Sequence, residues 1–295
     1  EGFEPGVVSM GRGGPPIPEV IEGHNLEVGS AYLLEALERG AHAASDYYET
    51  AALSRVTTVG CRRCGGGLAG QPFVSNVVEG ARIANDLDTG VTVFDGSGAA
   101  VPPVEVQGRV LVAGAHQDPE YITGFLGAYR LMISDLVILT MSEEPMADEE
   151  KVRRIVEGVG EVRPHLPVIP TVFRPRPVGE IGGLRVGYVS TAPPVVLDQL
   201  ARHLEERYGC VVVAVSGSLS DRRRLNEDLD GMSGVEAYLT EIKAAAVDVV
   251  TRRGSEEGKP VFYCDNDPVG EGLDEELLRL AREAGATGRR GGAGV

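Results

Sequence analysis

The sequence is poor in cysteine, short of positive charge and without long apolar runs, and each shortage removes a class of function. Four cysteines, Cys61, Cys64, Cys210 and Cys264, are scattered through 295 residues, too few for the disulfide framework that staples small secreted domains. A reducing, cytoplasmic setting is therefore expected. No apolar stretch approaches the ~20 residues that a bilayer-spanning helix needs, and the opening residues EGFEPGVVSM have neither the basic flank nor the apolar core of a secretory signal. No membrane partner is expected. Lysine and arginine number 28 against 44 aspartates and glutamates, a formal net charge of -16, so most of the surface repels polyanions. Nucleic acid is thus not an expected partner, and any anionic ligand needs a local basic site. No internal repeat is present.

What is present is the rhythm of a folded α/β protein. Hydrophobic residues make up 42% of the chain, the usual share for a protein with a substantial core. Short apolar runs alternate with amphipathic stretches, the pattern of a mainly parallel sheet. Strands are expected at 7–10, 91–94, 110–113, 136–141, 168–172, 186–190, 211–216 and 261–264. Helical spacing marks SAYLLEALERG, SNVVEGARIANDL, DEEKVRRIVEGV, PVVLDQLARHLEERYG and YLTEIKAAAVDVVTRRGSEEG. The proline- and glycine-rich RPRPVGEIGGL, residues 174–184, reads as a linker. It would divide a first domain, 1–180, from a smaller α/β domain, 181–280, with 281–295 a disordered tail short of apolar surface.

Two stretches carry the strongest chemistry. VTVFDGSGAAVPP, residues 91–103, is an apolar strand that ends in Asp95 and continues into Gly96, Ser97 and Gly98. Ligands of parallel sheets bind beyond the carboxyl ends of strands, where an acid can hold Mg²⁺ and small residues let phosphate approach the backbone. The plainer alternative is a turn whose aspartate caps a helix. VGCRRCGGGLAG, residues 59–70, sets Arg62 and Arg63 between Cys61 and Cys64 and runs into Gly65, Gly66 and Gly67. No second Cys or His pair stands at finger-like spacing, which argues against structural zinc. Electropositive neighbours would activate the thiols, so a redox pair stays open. The preferred reading is an anion loop, with paired guanidiniums and glycine amides forming a nest; a solvated basic turn is the plain alternative.

Weaker signals follow. Arg12 in MGRGGPP repeats the arginine-and-glycine chemistry, and His42, Ser45 and Asp46 stand at an expected helix entry, His42 reading more readily as structural than catalytic. Glu143 and Glu144 end a strand, where a helix N-terminus explains them nearly as well as cation binding. Arg174 and Arg176 flank prolines, Glu241 and Lys243 are placed on a helix, and FYCDNDPV ends in acids.

MGRGGP, AASD, TVGCRRCGGGLAG, DGSGAAVPP, SEEPM, PTVFRPRP, STAPP, TEIKAAAVDV and YCDNDPV occur in the order found in cyclic 2,3-diphosphoglycerate synthetases, a resemblance that runs from about Val7 to about Val269. The resemblance implies a P-loop NTPase-type α/β fold and an ATP- and Mg²⁺-dependent ligase. Such an enzyme closes a phosphoanhydride between the two phosphates of 2,3-diphosphoglycerate, releasing ADP and phosphate. Under it, Arg62 and Arg63 act with Asp95 in catalysis, Asp95 also holding the metal. Arg12, Gly65, Gly66, Gly67, Arg174, Arg176 and Lys243 bind the phosphorylated small-molecule substrate, while Gly96, Ser97 and Gly98 receive the nucleotide. Related multi-domain enzymes are commonly homodimeric. Two departures stand out. Similar ligases usually carry glutamate where Asp95 stands, and Lys151, Lys243 and Lys259 all lack the flanking residues of a Walker A motif. The chain therefore looks like roughly the C-terminal two thirds of such an enzyme, cut within its nucleotide domain. Two alternatives remain: another P-loop kinase or dethiobiotin-synthetase-like ligase, and a non-catalytic phosphometabolite-binding protein.

Overall fold

The computed structural model describes residues 4–25, 29–40, 45–64, 73–87, 89–96, 101, 103–242 and 246–291, with side chains as far as 285. The chain divides into two compact units, Glu1–Val104 with Pro175–Asp265, and Glu105–Arg174 with Asn266–Val295.

The first unit contains two sheets. In one, β1 (Pro5–Gly11), β3 (Thr57–Cys64) and β5 (Val91–Gly96) run parallel with β1 at the centre. The order is β2-β3-β1-β5, with β2 (Glu19–Glu22) antiparallel on β3 and the short β4 (Val74–Ser75) pairing the end of β3. Alternation along the strands sorts the two faces. Val8 and Met10 join Val59 and Cys61 against Val77 and Ala84 of α3 (Val77–Asp86). On the other face lies α2 (Asp46–Leu53), whose Tyr47, Tyr48 and Ala51 pack with Leu33 and Ala36 of α1 (Ser30–Glu38).

The second sheet has the order β11-β10-β12-β13-β9, from β9 (Val172–Val178), β10 (Arg185–Val189), β11 (Val211–Ser216), β12 (Ala237–Glu241) and β13 (Val261–Val269). Its first four strands are parallel, and α7 (Pro194–Tyr208), α8 (Arg222–Gly231) and α9 (Val247–Glu257) are the crossovers. Left-handed glycines, Gly209 (φ +67°) and Gly258 (φ +65°), terminate α7 and α9.

The second unit is a parallel sheet of order β6-β7-β8, built from β6 (Val110–Gly114), β7 (Leu136–Thr140) and β8 (Val168–Pro170). Val137 and Leu139 pack with Ile155 and Val159 of α6 (Glu149–Val162), while Leu136 and Ile138 meet Leu273 of α10 (Leu273–Gly291). No helix among the described residues is long and apolar enough to cross a membrane.

The expected α/β class with parallel sheets is what forms. Four local expectations are corrected. GCRRC is not a loop: it is the end of β3, drawn into extended structure by partners on both sides. Glu241 lies on strand β12, not on a helix, and α9 begins only at Val247; a strand buried on both faces has no polar alternation to reveal it. Part of the expected linker, from Arg174 to Val178, is strand β9. Helix α10 also covers 281–291, part of the expected tail, with acids in its first turn and an Arg279–Glu283 pair one turn apart.

Candidate functional site at the end of the first parallel sheet

Because β1, β3 and β5 are parallel and in register, their carboxyl ends coincide. Gly11 stands opposite Arg62, Met10 opposite Cys61 and Gly96, and Ser9 opposite Gly60 and Asp95. Arg12, Arg62, Arg63, Asp95 and Gly96 are thereby brought to one end of one sheet, where ligands of open α/β sheets bind.

The strand conformation decides how the two neighbouring arginines divide. Consecutive residues of a strand point to opposite faces, so Arg62 shares the α2 face with Ser9 and Asp95, and Arg63 shares the α3 face with Val59 and Cys61. The two guanidiniums do not form one forked clamp, a correction to the paired reading. The Arg63 Nε is buried with no hydrogen-bond partner among the described residues, a costly arrangement for a cationic donor unless a ligand completes it.

On the α2 face, two carboxylates flank the end of β1. Asp95 lies in register with Ser9, which is 1% exposed and whose hydroxyl has no partner among the described residues. Asp46, the first residue of α2, closes over Gly11: a Cβ there would stand 2.6 Å from Asp46 Oδ2. Below them the turn after β1 is pressed onto β3, and a Cβ on Gly14 would overlap the Cys61 carbonyl oxygen. Arg62 Nε donates to the Gly14 carbonyl at 2.7 Å. Asn76 accepts the Arg62 backbone N–H on Oδ1 at 2.7 Å and donates from Nδ2 to the Pro15 carbonyl at 3.0 Å.

The same geometry rules out the redox pair. Cys61 and Cys64 are three residues apart on a strand, so their side chains leave opposite faces and their Cα atoms are separated by about 10 Å at ~3.3 Å per residue, beyond disulfide reach. Burial, with a smaller contribution from Glu79, pushes the Cys61 thiol up to about 11. The described residues contain no group of three or more His, Cys, Asp or Glu side chains placed to hold a metal.

The remaining candidates are distributed elsewhere. Arg174, in the second unit, is held bidentately by Glu143 at 2.5 and 2.7 Å, and that carboxylate raises its pKa. Arg176, on β9, pairs with Asp265 at 2.9 Å. Both guanidiniums are thus engaged by acids. Glu241, 6% exposed at the end of β12, accepts from the Ser190 hydroxyl at 2.7 Å and from the Thr191 N–H and hydroxyl at 3.1 and 2.8 Å. It locks the β10 and β12 ends together. His42, Gly65, Gly66, Gly67, Ser97, Gly98 and Lys243 lie outside the described residues. Asn76 was missed by sequence reasoning, its only signal being an asparagine before a helical run.

The family model described as cyclic 2,3-diphosphoglycerate synthetase, P-loop domain, matches residues 1–172, and that for the C-terminal domain of the same synthetase matches residues 177–267. The chain belongs to the cyclic 2,3-diphosphoglycerate synthetase family. Its P-loop segment thus includes the strand end that carries Arg12, Arg62 and Asp95. The chain is 78% identical over all 295 residues to a cyclic 2,3-diphosphoglycerate synthetase of Rubrobacter xylanophilus, covering 66% of that protein. Synthetases of the same name from Methanothermus fervidus and Methanothermobacter thermautotrophicus are 50% and 47% identical over 90% and 93% of this chain, which spans 58% and 60% of their lengths. The chain therefore spans somewhat under two thirds of the curated relatives it matches.

Proposed function

We propose that this chain forms the arginine- and carboxylate-bearing part of an ATP-dependent synthetase that converts 2,3-diphosphoglycerate to its cyclic anhydride. The observation that carries the reading is the strand end itself. In a chain of net charge -16, Arg12, Arg62 and Arg63 stand at one sheet end, the last two on opposite faces, without an acidic partner among the described residues, and the buried Arg63 Nε has no hydrogen-bond partner among those residues. A substrate with two phosphates needs cations that offset the mutual repulsion of its charges as they are brought together. In this reading ATP phosphorylates one substrate phosphate, releasing ADP. An oxygen of the other phosphate then attacks the activated phosphorus, the new P–O–P bond forms, and inorganic phosphate leaves. The arginines hold the two phosphates and take up negative charge on the attacked group.

The residues present fit a hard cation. Mg²⁺ is usually held by one or two carboxylates together with nucleotide phosphates and water. Asp95 supplies such a carboxylate, beside the buried Ser9 hydroxyl, which has no partner among the described residues, and Asp46 lies on the same face. When bound, the ion would neutralise the phosphates of ATP. Gly96, at the same strand end, and Ser97 and Gly98, which follow it in the sequence, are assigned to the nucleotide in this reading. A cytoplasmic, homodimeric enzyme belongs to this reading.

The test is phosphorus NMR of the protein with ATP, Mg²⁺ and 2,3-diphosphoglycerate, with titration calorimetry of the same substrate in parallel. A cyclic anhydride resonance lost in Arg62→Ala and Arg63→Ala supports the synthetase. ATP hydrolysis without that product favours another P-loop ligase, and 2,3-diphosphoglycerate binding without ATP use favours a binding protein. Failure of the wild-type chain to bind either phosphate compound would refute the site.

A further inference from the structure

The turn after β1, Gly11 to Pro16, has the sequence GRGGPP, whose three glycines should leave it loose. It is instead bracketed along four consecutive carbonyls, each by a different side chain. Cys64 Sγ approaches the Arg12 oxygen at 3.7 Å, the Ser45 hydroxyl donates to the Gly13 oxygen at 2.8 Å, Arg62 Nε to the Gly14 oxygen at 2.7 Å, and Asn76 Nδ2 to the Pro15 oxygen at 3.0 Å. The Gly14 N–H closes the turn on the Gly11 oxygen at 3.3 Å.

Two of these residues stand where another use was available. Ser45 is the N-cap of α2 and Asn76 the N-cap of α3, and neither side chain caps its helix. Serine and asparagine are among the best N-cap residues because their side-chain oxygens satisfy free amides of the first turn. Both turn away from that role and hold the arginine turn instead.

The electrostatic consequence is directional. A trans peptide points its N–H opposite to its carbonyl. With the carbonyls of 12 to 15 drawn onto protein donors, these oxygens are turned away from an approaching anion; Pro15 and Pro16 have no N–H and the Gly14 N–H is taken by Gly11, so what the bracketed turn offers at the exposed Arg12 and Gly13 is the Arg12 guanidinium and the Gly13 N–H. We propose that Ser45 and Asn76 are positioning residues that preset the Arg12 turn for a polyphosphorylated anion. This rests on the reading of the strand end as the phosphate site.

The experiment measures binding of 2,3-diphosphoglycerate, with inorganic pyrophosphate as a second probe, by calorimetry at several salt concentrations well below the melting temperature. The variants are Ser45→Ala, Ser45→Thr, Asn76→Ala and Arg12→Ala. Losing one anchoring hydrogen bond should weaken binding about five- to tenfold in Ser45→Ala and in Asn76→Ala, with an unchanged salt slope because no cation is lost. Ser45→Thr keeps the hydroxyl and should restore affinity to within about twofold. Arg12→Ala should weaken binding and lower the salt slope together. Folded Ser45→Ala and Asn76→Ala proteins that bind like the parent, while Arg12→Ala does not, would overturn the positioning role and leave only a structural brace. A parent that binds neither probe, or an Arg12→Ala variant that binds both normally, would instead overturn the phosphate-site reading.

Discussion

Gly14→Ala is the smallest change that tests how the arginine turn is seated. A Cβ at this buried position overlaps the Cys61 carbonyl oxygen and would stand 2.5 Å from the Cys61 carbonyl carbon and 2.9 Å from the Arg62 nitrogen. All three are backbone atoms of β3, which is paired to β1 on one side and β2 on the other, so no side chain can rotate out of the way. For the methyl to reach an ordinary separation of ~3.5 Å, the turn must retreat by well over ~1 Å. That displacement breaks hydrogen bonds now 2.7, 2.8 and 3.0 Å long from Arg62, Ser45 and Asn76. At roughly 1 kcal/mol each, the three together destabilise the fold by roughly 3 kcal/mol. For a chain of this size the thermal midpoint should fall by about 5 °C, read by calorimetry. The control is Gly160→Ala in α6, where a Cβ meets nothing within 4 Å; relief of backbone entropy should there stabilise by about 0.5–1 kcal/mol. A Gly14→Ala protein that melts with the parent would mean that the turn is not seated on β3, and the bracket argument would fall with it.

Other outcomes follow from single contacts. Glu241→Ala removes the acceptor of three hydrogen bonds, from the buried Ser190 hydroxyl and from the N–H and hydroxyl of the exposed Thr191, and should cost about 2 kcal/mol in urea denaturation; a loss below about 1 kcal/mol would show that the β10 and β12 ends do not depend on it. Thiol titration of protein unfolded without reductant should find all four cysteines free, and two would contradict the opposed faces of Cys61 and Cys64. Cys61 should also resist alkylation at pH 8 in the native state. Its thiol is raised to about 11 in the fold from an ordinary 9, so the unfolded chain ionises first, and the associated stability is present below pH 9 and is lost as pH rises towards 11. If Cys61→Ala removes none of the alkaline loss of stability, Cys61 is not its source.

The parts of the fold that were legible in the sequence are those whose burial is one-sided or bounded by turn residues. β1, β5, β6 and β11 are short apolar runs ending at glycine, serine or aspartate, and they form within a few residues of where periodicity places them. β3 was hidden because TTVGCRRC has few apolar side chains, and its extended conformation comes from partners on either side. β12 was hidden for the opposite reason. All five residues of AYLTE are buried, so the run carries no alternation, and the alanines after it complete an apparent helical spacing.

The candidate site divides along the same physical line. Asp95 and Arg12 were readable because Asp95 follows an apolar run at once and Arg12 one glycine later, each with glycine beside it, which is the local signature of a strand end. The relation between Arg62 and Arg63 was not readable, since it turns on whether GCRRC is a loop or a strand. A loop allows both guanidiniums to reach one anion, whereas β3 separates them by a face of the sheet. The bracket around the Arg12 turn lay still deeper, because Ser45 and Asn76 reach carbonyls 32 and 61 residues away in the chain, and their residue types point first to helix capping. Only the register of β1 against β3 brings those carbonyls within reach. Local chemistry therefore marks which residues can bind an anion, and tertiary register determines which of them act together.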